Sequence, residues 1–207
     1  GESNEAMRQR VLKTMAPGVG GDPGVEDAQE ALRIVRARAS EWGVDPARVG
    51  VMGFSAGGHV AGMTMFAPDP AQRPDFAALV YGMPFGEPGP KIPPANLPPP
   101  AGSAAEPWLQ PEPTPAPGRL PPLFMIMAQD DMAVGLGFRA FYDKLFAAGY
   151  RPELHLYARG KHGFGAASRG TTAVHWLDDF GWWLDAEVPG AAKRYTRLSA
   201  VRIDNAW

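Results

Sequence analysis

The feature that most constrains the fold is a serine set between glycines, where an apolar run meets a helix-compatible run. Gly53-Phe54-Ser55-Ala56-Gly57 follows residues 49–52 and leads into residues 58–66. This order predicts a strand, a tight turn and a helix, with Ser55 at the apex and glycines that let strand and helix approach closely. Ser55 then lies at a helix N-terminus, where developing negative charge is favoured. It is our candidate nucleophile, and a chance glycine turn is the alternative.

Composition narrows the class of protein. The chain has 207 residues, of which 45% are hydrophobic and 20% are charged, so we expect one globular domain over residues 1–207. A net charge of -2 with scattered Lys and Arg argues against nucleic acid as a partner. The apolar run at residues 123–128 is too short to span a bilayer, and the first ten residues are polar, so we expect no membrane anchor. With no cysteine, the chain has no disulfide, no thiolate nucleophile and no Cys-bound metal.

Apolar runs alternate with amphipathic ones along the chain. We predict strands at residues 48–52, 76–81, 123–128 and 153–158, and helices at 24–42, 58–66, 137–148 and 171–186. Gly43 and Gly149 are placed to end two of these helices. Such alternation indicates an α/β fold, with a mostly parallel sheet covered by helices on both faces.

A proline-rich insertion separates the second and third predicted strands. Fifteen of the 39 residues at 84–122 are proline, which excludes a regular helix or a central strand. One interpretation is an irregular surface loop in extended form. The other is a wall of the active site, since long loops at the carboxyl ends of strands often carry function. Trp108 would then be the substrate-binding residue.

A serine nucleophile needs a base, and the base needs a carboxylate to orient it. His162 follows the fourth predicted strand in the glycine-flanked segment Lys161-His162-Gly163-Phe164-Gly165, and we interpret it as the base. Asp131 follows the third strand and is the candidate acid, with Asp130 as the close alternative. Because a parallel sheet brings the ends of its strands to one edge, these groups are expected to meet above Ser55.

Each of these residues also has a simpler explanation. A loop histidine is often only solvated, and paired aspartates after a strand often make turns or cap helices. The other histidines are weaker candidates for the base. His59 is on the helix after the serine, His155 alternates within a strand, and His175 is in the last predicted helix.

Three motifs taken together resemble the α/β-hydrolase esterase and lipase superfamily, and within it the group containing acetyl xylan esterases. The resemblance spans roughly residues 25–187. It depends on residues 45–59 around the serine, on residues 121–124 leading to Asp130-Asp131, and on residues 153–157 leading to His162-Gly163-Phe164-Gly165. It implies Ser55 as nucleophile, Asp131 as acid and His162 as base, with the N–H of Ala56 in the oxyanion hole and no metal or cofactor.

The chain departs from this superfamily at its beginning. The 207 residues contain no His-Gly-Gly-like segment, which in such enzymes supplies a second oxyanion N–H. We therefore expect upstream strands to be missing and the first predicted strand to have an unpaired edge. A homodimer, a second chain or further residues would cover that edge. Without the second donor, the isolated chain is expected to turn over about 100 to 1000 times more slowly.

The leading hypothesis is a serine carboxylic-ester hydrolase. The resemblance implies a small acyl substrate such as an acetyl ester, including one on a carbohydrate. One alternative is a prolyl-oligopeptidase-like serine peptidase, which shares the order of serine, acid and base. The other is an interaction module that keeps the fold without catalysing a reaction.

Overall fold

The computed structural model describes residues 21–84, 120–166, 170–188 and 190, together with Ala6, Gln9, Arg10 and Lys13. Its four strands are β1 (Gly50–Phe54), β2 (Phe76–Val80), β3 (Leu123–Ala128) and β4 (Glu153–Tyr157). Its α-helices are α1 (Gly21–Ala37), α2 (Ala39–Trp42), α3 (Ala56–Thr64), α4 (Gly135–Ala147) and α5 (Trp176–Glu187), and two short 3-10 turns lie at Pro70–Gln72 and Thr172–His175.

The four strands form one parallel sheet in the order β1-β2-β3-β4. Gly53 pairs with Leu79, and Ala128 pairs with Tyr157. The carboxyl ends of all four strands therefore lie along one edge of the sheet, as the sequence predicted. In the described sheet β1 is a terminal strand with β2 as its one neighbour, and what covers its other side stays a prediction.

Two apolar cores lie on opposite faces of the sheet. One contains Ala61 of α3, the adjacent Met65, and Phe138, Phe141 and Leu145 of α4, packed on residues from one face of β2 and β3. The other contains Trp176 and Trp183 of α5, packed on the alternate residues of the same strands. β3 is buried at all six positions because it is covered on both faces, which is typical of a central parallel strand. The predicted α/β architecture is confirmed.

Two helices differ in detail from the prediction. The first predicted helix is divided into α1 and α2 at Arg38, and Gly43 ends α2 in a left-handed conformation with φ 66°. The last one begins with the 3-10 turn Thr172–His175, so His175 precedes α5 instead of lying within it. In both cases the apolar spacing continues across the junction, and sequence periodicity alone therefore missed the break.

Close packing behind Ser55 depends on Gly53 and Gly58. A Cβ atom on Gly53 would overlap the carbonyl of Gly57 and approach the Cβ of Ala61 to 2.8 Å. A Cβ atom on Gly58 would lie 2.7 Å from the backbone of Gly82. A Cβ atom on Gly57 would have no described atom within 4 Å. The sequence predicted that close packing requires glycine on either side of the serine. Among the described residues this prediction is correct for Gly53 and wrong for Gly57.

This difference gives a matched pair of variants. Gly53→Ala should force β1 away from α3 and cost roughly 1–3 kcal/mol or more, lowering the thermal midpoint by about 5 °C or more. Gly57→Ala should change it by about 2 °C or less, because the new methyl group enters open space and alanine favours helix. Thermal unfolding followed by circular dichroism measures both. Equal losses in the two variants would contradict the packing described.

The proline-rich insertion lies almost wholly outside the described residues. The chain leaves the carboxyl end of β2 through Pro84, whose ring lies close to Gly62 of α3, and is described again from Leu120. Trp108 therefore lies outside the described residues. The same is true of the segment that was interpreted either as a surface loop or as a wall of the active site. Among the helices that are described, none is long and apolar enough to cross a membrane.

Candidate active site

Ser55 occupies the sharp turn between β1 and α3. Its backbone has φ 53° and ψ -120°, a sparsely populated region for a residue with a side chain. Two backbone hydrogen bonds hold it there: the N–H of Ser55 donates to the carbonyl of Val80 at 3.0 Å, and the N–H of Gly58 donates to the carbonyl of Ser55 at 2.8 Å. This strained conformation sets the hydroxyl group at the carboxyl edge of the sheet.

The structure brings Ser55, His162 and Asp131 into one line of hydrogen bonds. Ser55 Oγ lies 2.7 Å from His162 Nε2, and His162 Nδ1 lies 2.8 Å from Asp131 Oδ2. A carboxylate oxygen accepts hydrogen bonds, so the tautomer with its proton on Nδ1 fits both contacts and leaves Nε2 to accept from the serine hydroxyl. Ser55 and His162 are 107 positions apart in the sequence. Together with Asp131 they meet in the geometry of a nucleophile, a base and an acid.

Asp131 is the carboxylate that reaches the imidazole. Its side chain is 0% exposed, whereas that of His162 is 16% exposed. The other oxygen, Oδ1, accepts hydrogen bonds from the N–H groups of Ala133 at 2.8 Å and Val134 at 3.2 Å. These bonds satisfy a buried charge that would otherwise be costly, and they fix the direction in which Oδ2 points.

Asp130 points elsewhere, although it is the adjacent residue. Its Oδ1 accepts hydrogen bonds from the N–H of Gly160 at 2.9 Å and from the N–H of Lys161 at 2.7 Å. The alternative that Asp130 is the carboxylate against the imidazole is therefore wrong. Asp130 contacts the backbone of the loop that carries His162.

Tyr81 is a residue at the site that sequence reasoning missed. The sequence predicts it as the last residue of the second strand, but it follows β2 in a left-handed conformation with φ 41°. Its ring packs edge-on against His162 with centroids 5.4 Å apart and against Phe54 at 5.9 Å. Burial raises the pKa of Tyr81 above its ordinary value, so the phenol stays protonated, and its oxygen accepts from the N–H of Gly165 at 3.2 Å.

A second aromatic residue holds the same end of the histidine loop. Trp176, which begins α5, is 1% exposed and donates from Nε1 to the carbonyl of Gly165 at 2.8 Å. The signal that could have found Tyr81 is its position, since it ends another strand at the same sheet edge. Trp176 gave no comparable signal, because its spacing in the sequence matches that of any core aromatic residue.

The other residues that the sequence singled out are Ala56 and the remaining histidines. Ala56 is the first residue of α3, so its N–H has no partner within the helix, and it directly follows Ser55. Of the other histidines, His59 is buried on α3, His155 is 3.0 Å from Glu153 on β4, and neither is in the line of hydrogen bonds with Ser55. In the part of the chain that the structure describes, no group of three or more His, Asp or Glu residues is arranged to hold a metal.

Comparison with known proteins finds esterases among the proteins that this chain resembles. The BD-FAE family model matches residues 22–72. The acetylxylan esterase of Xylanibacter ruminicola is 28% identical over 194 residues, which cover 86% of this chain and 38% of that protein. An acetyl ester-xyloside bifunctional hydrolase from Caldicellulosiruptor lactoaceticus has a TM-score of 0.57 and 26% identity, over 78% of this chain and 65% of that one.

A second similar structure is the apo form of esterase 2 from Thermogutta terrifontis. It has a TM-score of 0.56 and 26% identity, with 80% of this chain and 66% of that one covered. The same esterase is also known phosphonylated by cyclosarin. The described residues form part of an α/β-hydrolase fold.

The chain spans 38% of the length of its Xylanibacter relative. The parallel sheet, the turn at Ser55 and the helices on both faces agree with the resemblance inferred from the sequence motifs. The family model covers all but the first residue of α1, together with α2, β1 and α3, and the turn at Ser55 lies between β1 and α3.

Proposed function

We propose that this α/β-hydrolase is a serine carboxylic-ester hydrolase with Ser55 as nucleophile, His162 as general base and Asp131 as the carboxylate that orients the base. The observation that carries the proposal is the unbroken line of hydrogen bonds from Ser55 Oγ through His162 to the buried Asp131. A serine held in a strained turn and bonded to an imidazole has the activated form that acyl transfer needs.

The reaction begins with transfer of the Ser55 hydroxyl proton to His162 Nε2, while Oγ adds to the ester carbonyl carbon. The N–H of Ala56 donates to the resulting oxyanion, and the N-terminus of α3 favours its negative charge. Asp131 stabilises the imidazolium without taking its proton. Collapse of the tetrahedral species breaks the bond to the alkoxide, which receives the proton from Nε2 and leaves as the alcohol.

Hydrolysis of the acyl-enzyme repeats these steps with water. His162 takes a proton from the water molecule, whose oxygen attacks the acyl carbon, and then returns it to Ser55 Oγ as the carboxylic acid leaves. The chain's own residues provide every proton transfer in this cycle. A cofactor is not part of it.

We further propose small acyl esters, and acetyl esters of carbohydrates in particular, as the substrate class. The names of the Xylanibacter and Caldicellulosiruptor relatives support this choice.

Hydrolysis of matched aryl esters by the full-length protein tests the function. We expect measurable turnover of the acetyl ester, a lower rate with the butyryl ester, and the lowest rate with an aminoacyl ester. Release of the aryl alcohol, followed by absorbance, gives the three rates. A clear preference for the aminoacyl ester would favour a peptidase, and a complete lack of turnover would favour the interaction module.

A further inference from the structure

The adjacent carboxylates of Asp130 and Asp131 bond to different parts of the segment that carries the base. Asp131 Oδ2 bonds to the imidazole of His162, whereas Asp130 Oδ1 bonds to the backbone N–H of Lys161, the residue directly before it. Both aspartates belong to one short turn after β3, in which the N–H of Asp131 donates to the carbonyl of Ala128 at 3.1 Å. The turn thus fixes the side chain and the backbone of the base together.

The loop that Asp130 contacts has a backbone conformation that is unfavourable in the absence of other contacts. Lys161 has φ 57°, which is unfavourable for a residue with a side chain, and Gly163 and Gly165 have φ values of 81° and 60°. A segment with three left-handed residues in five persists only where surrounding contacts hold it. Free of those contacts, the backbone would relax and carry the imidazole away from Ser55.

The loop is held at both ends. Beyond His162, Gly165 is fixed by the hydroxyl of Tyr81 and by Trp176 Nε1. Before His162, the two hydrogen bonds from Gly160 and Lys161 to Asp130 are the corresponding contacts. Asp130 therefore anchors the end of the loop that the aromatic residues do not contact.

We propose that Asp130 is a positioning residue that sets the reach of His162 toward Ser55 by accepting two backbone hydrogen bonds. The proposal rests on the proposed function, since His162 is the base of that reaction. It requires an oxygen acceptor at position 130 and does not require a charge there. Asparagine keeps the acceptor Oδ1 at the same distance, and alanine removes it.

The test compares Asp130→Asn and Asp130→Ala with Asp143→Ala, a control at an exposed aspartate of α4. Asp130→Ala should lower kcat for the acetyl ester by about 10 to 100-fold with little change in KM, because misplacement of a catalytic group by about 1 Å costs up to about 100-fold. Asp130→Asn should retain kcat within a few fold, and the control should match the wild-type protein.

A second readout is independent of turnover. Amide hydrogen exchange of the peptide containing Gly160 and Lys161 should be faster in Asp130→Ala than in the wild type, and restored in Asp130→Asn. Should Asp130→Ala fail to fold, Asp130→Ser is the milder truncation, because its hydroxyl is too short to reach the loop.

The outcomes separate this proposal from the function itself. Unchanged kcat and unchanged exchange in Asp130→Ala would overturn the anchoring role, and a loss in Asp130→Asn equal to that in Asp130→Ala would overturn the acceptor role in favour of charge. If Ser55→Ala leaves turnover intact, the proposed function fails. In that case faster exchange in Asp130→Ala still supports the anchor, and unchanged exchange overturns it.

Discussion

Replacement of Ser55 by alanine is expected to lower kcat for an acetyl ester by about 10⁶-fold, because loss of a serine nucleophile removes the covalent route entirely. The substitution deletes only Oγ. The Cβ atom remains, so the strained backbone conformation at φ 53° is the same in both proteins. We therefore expect a thermal midpoint close to that of the wild type, and initial rates at saturating ester measure the loss.

The control for this variant is Ser40→Ala, at an exposed serine of α2, which should keep wild-type turnover. His162→Ala should be about as impaired as Ser55→Ala, since a serine without its base is not activated. Wild-type turnover in Ser55→Ala would contradict the assignment of the nucleophile and leave the strain at this position without an explanation in chemistry.

The second large effect is expected for Asp131→Asn, at about 10⁴-fold in kcat near neutral pH. The asparagine Oδ1 still accepts from the N–H groups of Ala133 and Val134, so the turn is kept. The amide NH₂ then faces His162 Nδ1 and makes that nitrogen an acceptor. Nε2 consequently carries the ring proton and cannot take the proton of Ser55.

Asp130→Asn, assayed in parallel, is the matched control for Asp131→Asn. Both variants remove one negative charge from the same turn, yet only Asp131 faces the imidazole. A steady-state comparison of kcat for the two variants is the measurement. Similar losses in both would show that general charge near the site matters more than the tautomer of His162.

The sequence predicted the sheet and the turn at Ser55 because both depend on local patterns. Continuous apolar runs such as residues 123–128 indicate a strand buried on both faces, and β3 has those bounds. Serine, aspartate and histidine each follow a separate strand. Because a parallel sheet brings the carboxyl ends of its strands to one edge, the three residues were expected to lie close together. The same geometry predicted the position of His162, which follows the fourth strand.

The sequence favoured Asp131 over Asp130 but could not show which of the two carboxylates faces the imidazole. The two residues have the same side chain and differ only in the direction that the turn after β3 gives them, which depends on hydrogen bonds to Ala133 and to Gly160. The role assigned to Gly57 was wrong for a similar reason. Whether a glycine is needed depends on where its Cβ atom would point, and at Gly57 that direction is open among the described residues.

Tyr81 shows a third limit. A tyrosine after an apolar run is read as one more strand residue, because its β-propensity is high. Its left-handed backbone and its contacts with His162 and Gly165 depend on packing between β2 and a loop 80 residues away. Contacts of that range are set by tertiary structure and leave no local pattern.

Reaction with a fluorophosphonate tests the central claim most directly, namely that Ser55 is activated by its bond to His162. Attack by Oγ on phosphorus expels fluoride, so the intact mass should rise by one phosphonyl group, and peptide mapping should locate it on Ser55. Ser55→Ala should stay unmodified, and His162→Ala should react far more slowly. Labelling of the Ser55→Ala protein at the wild-type rate, or a wild-type protein that stays unlabelled, would contradict the account.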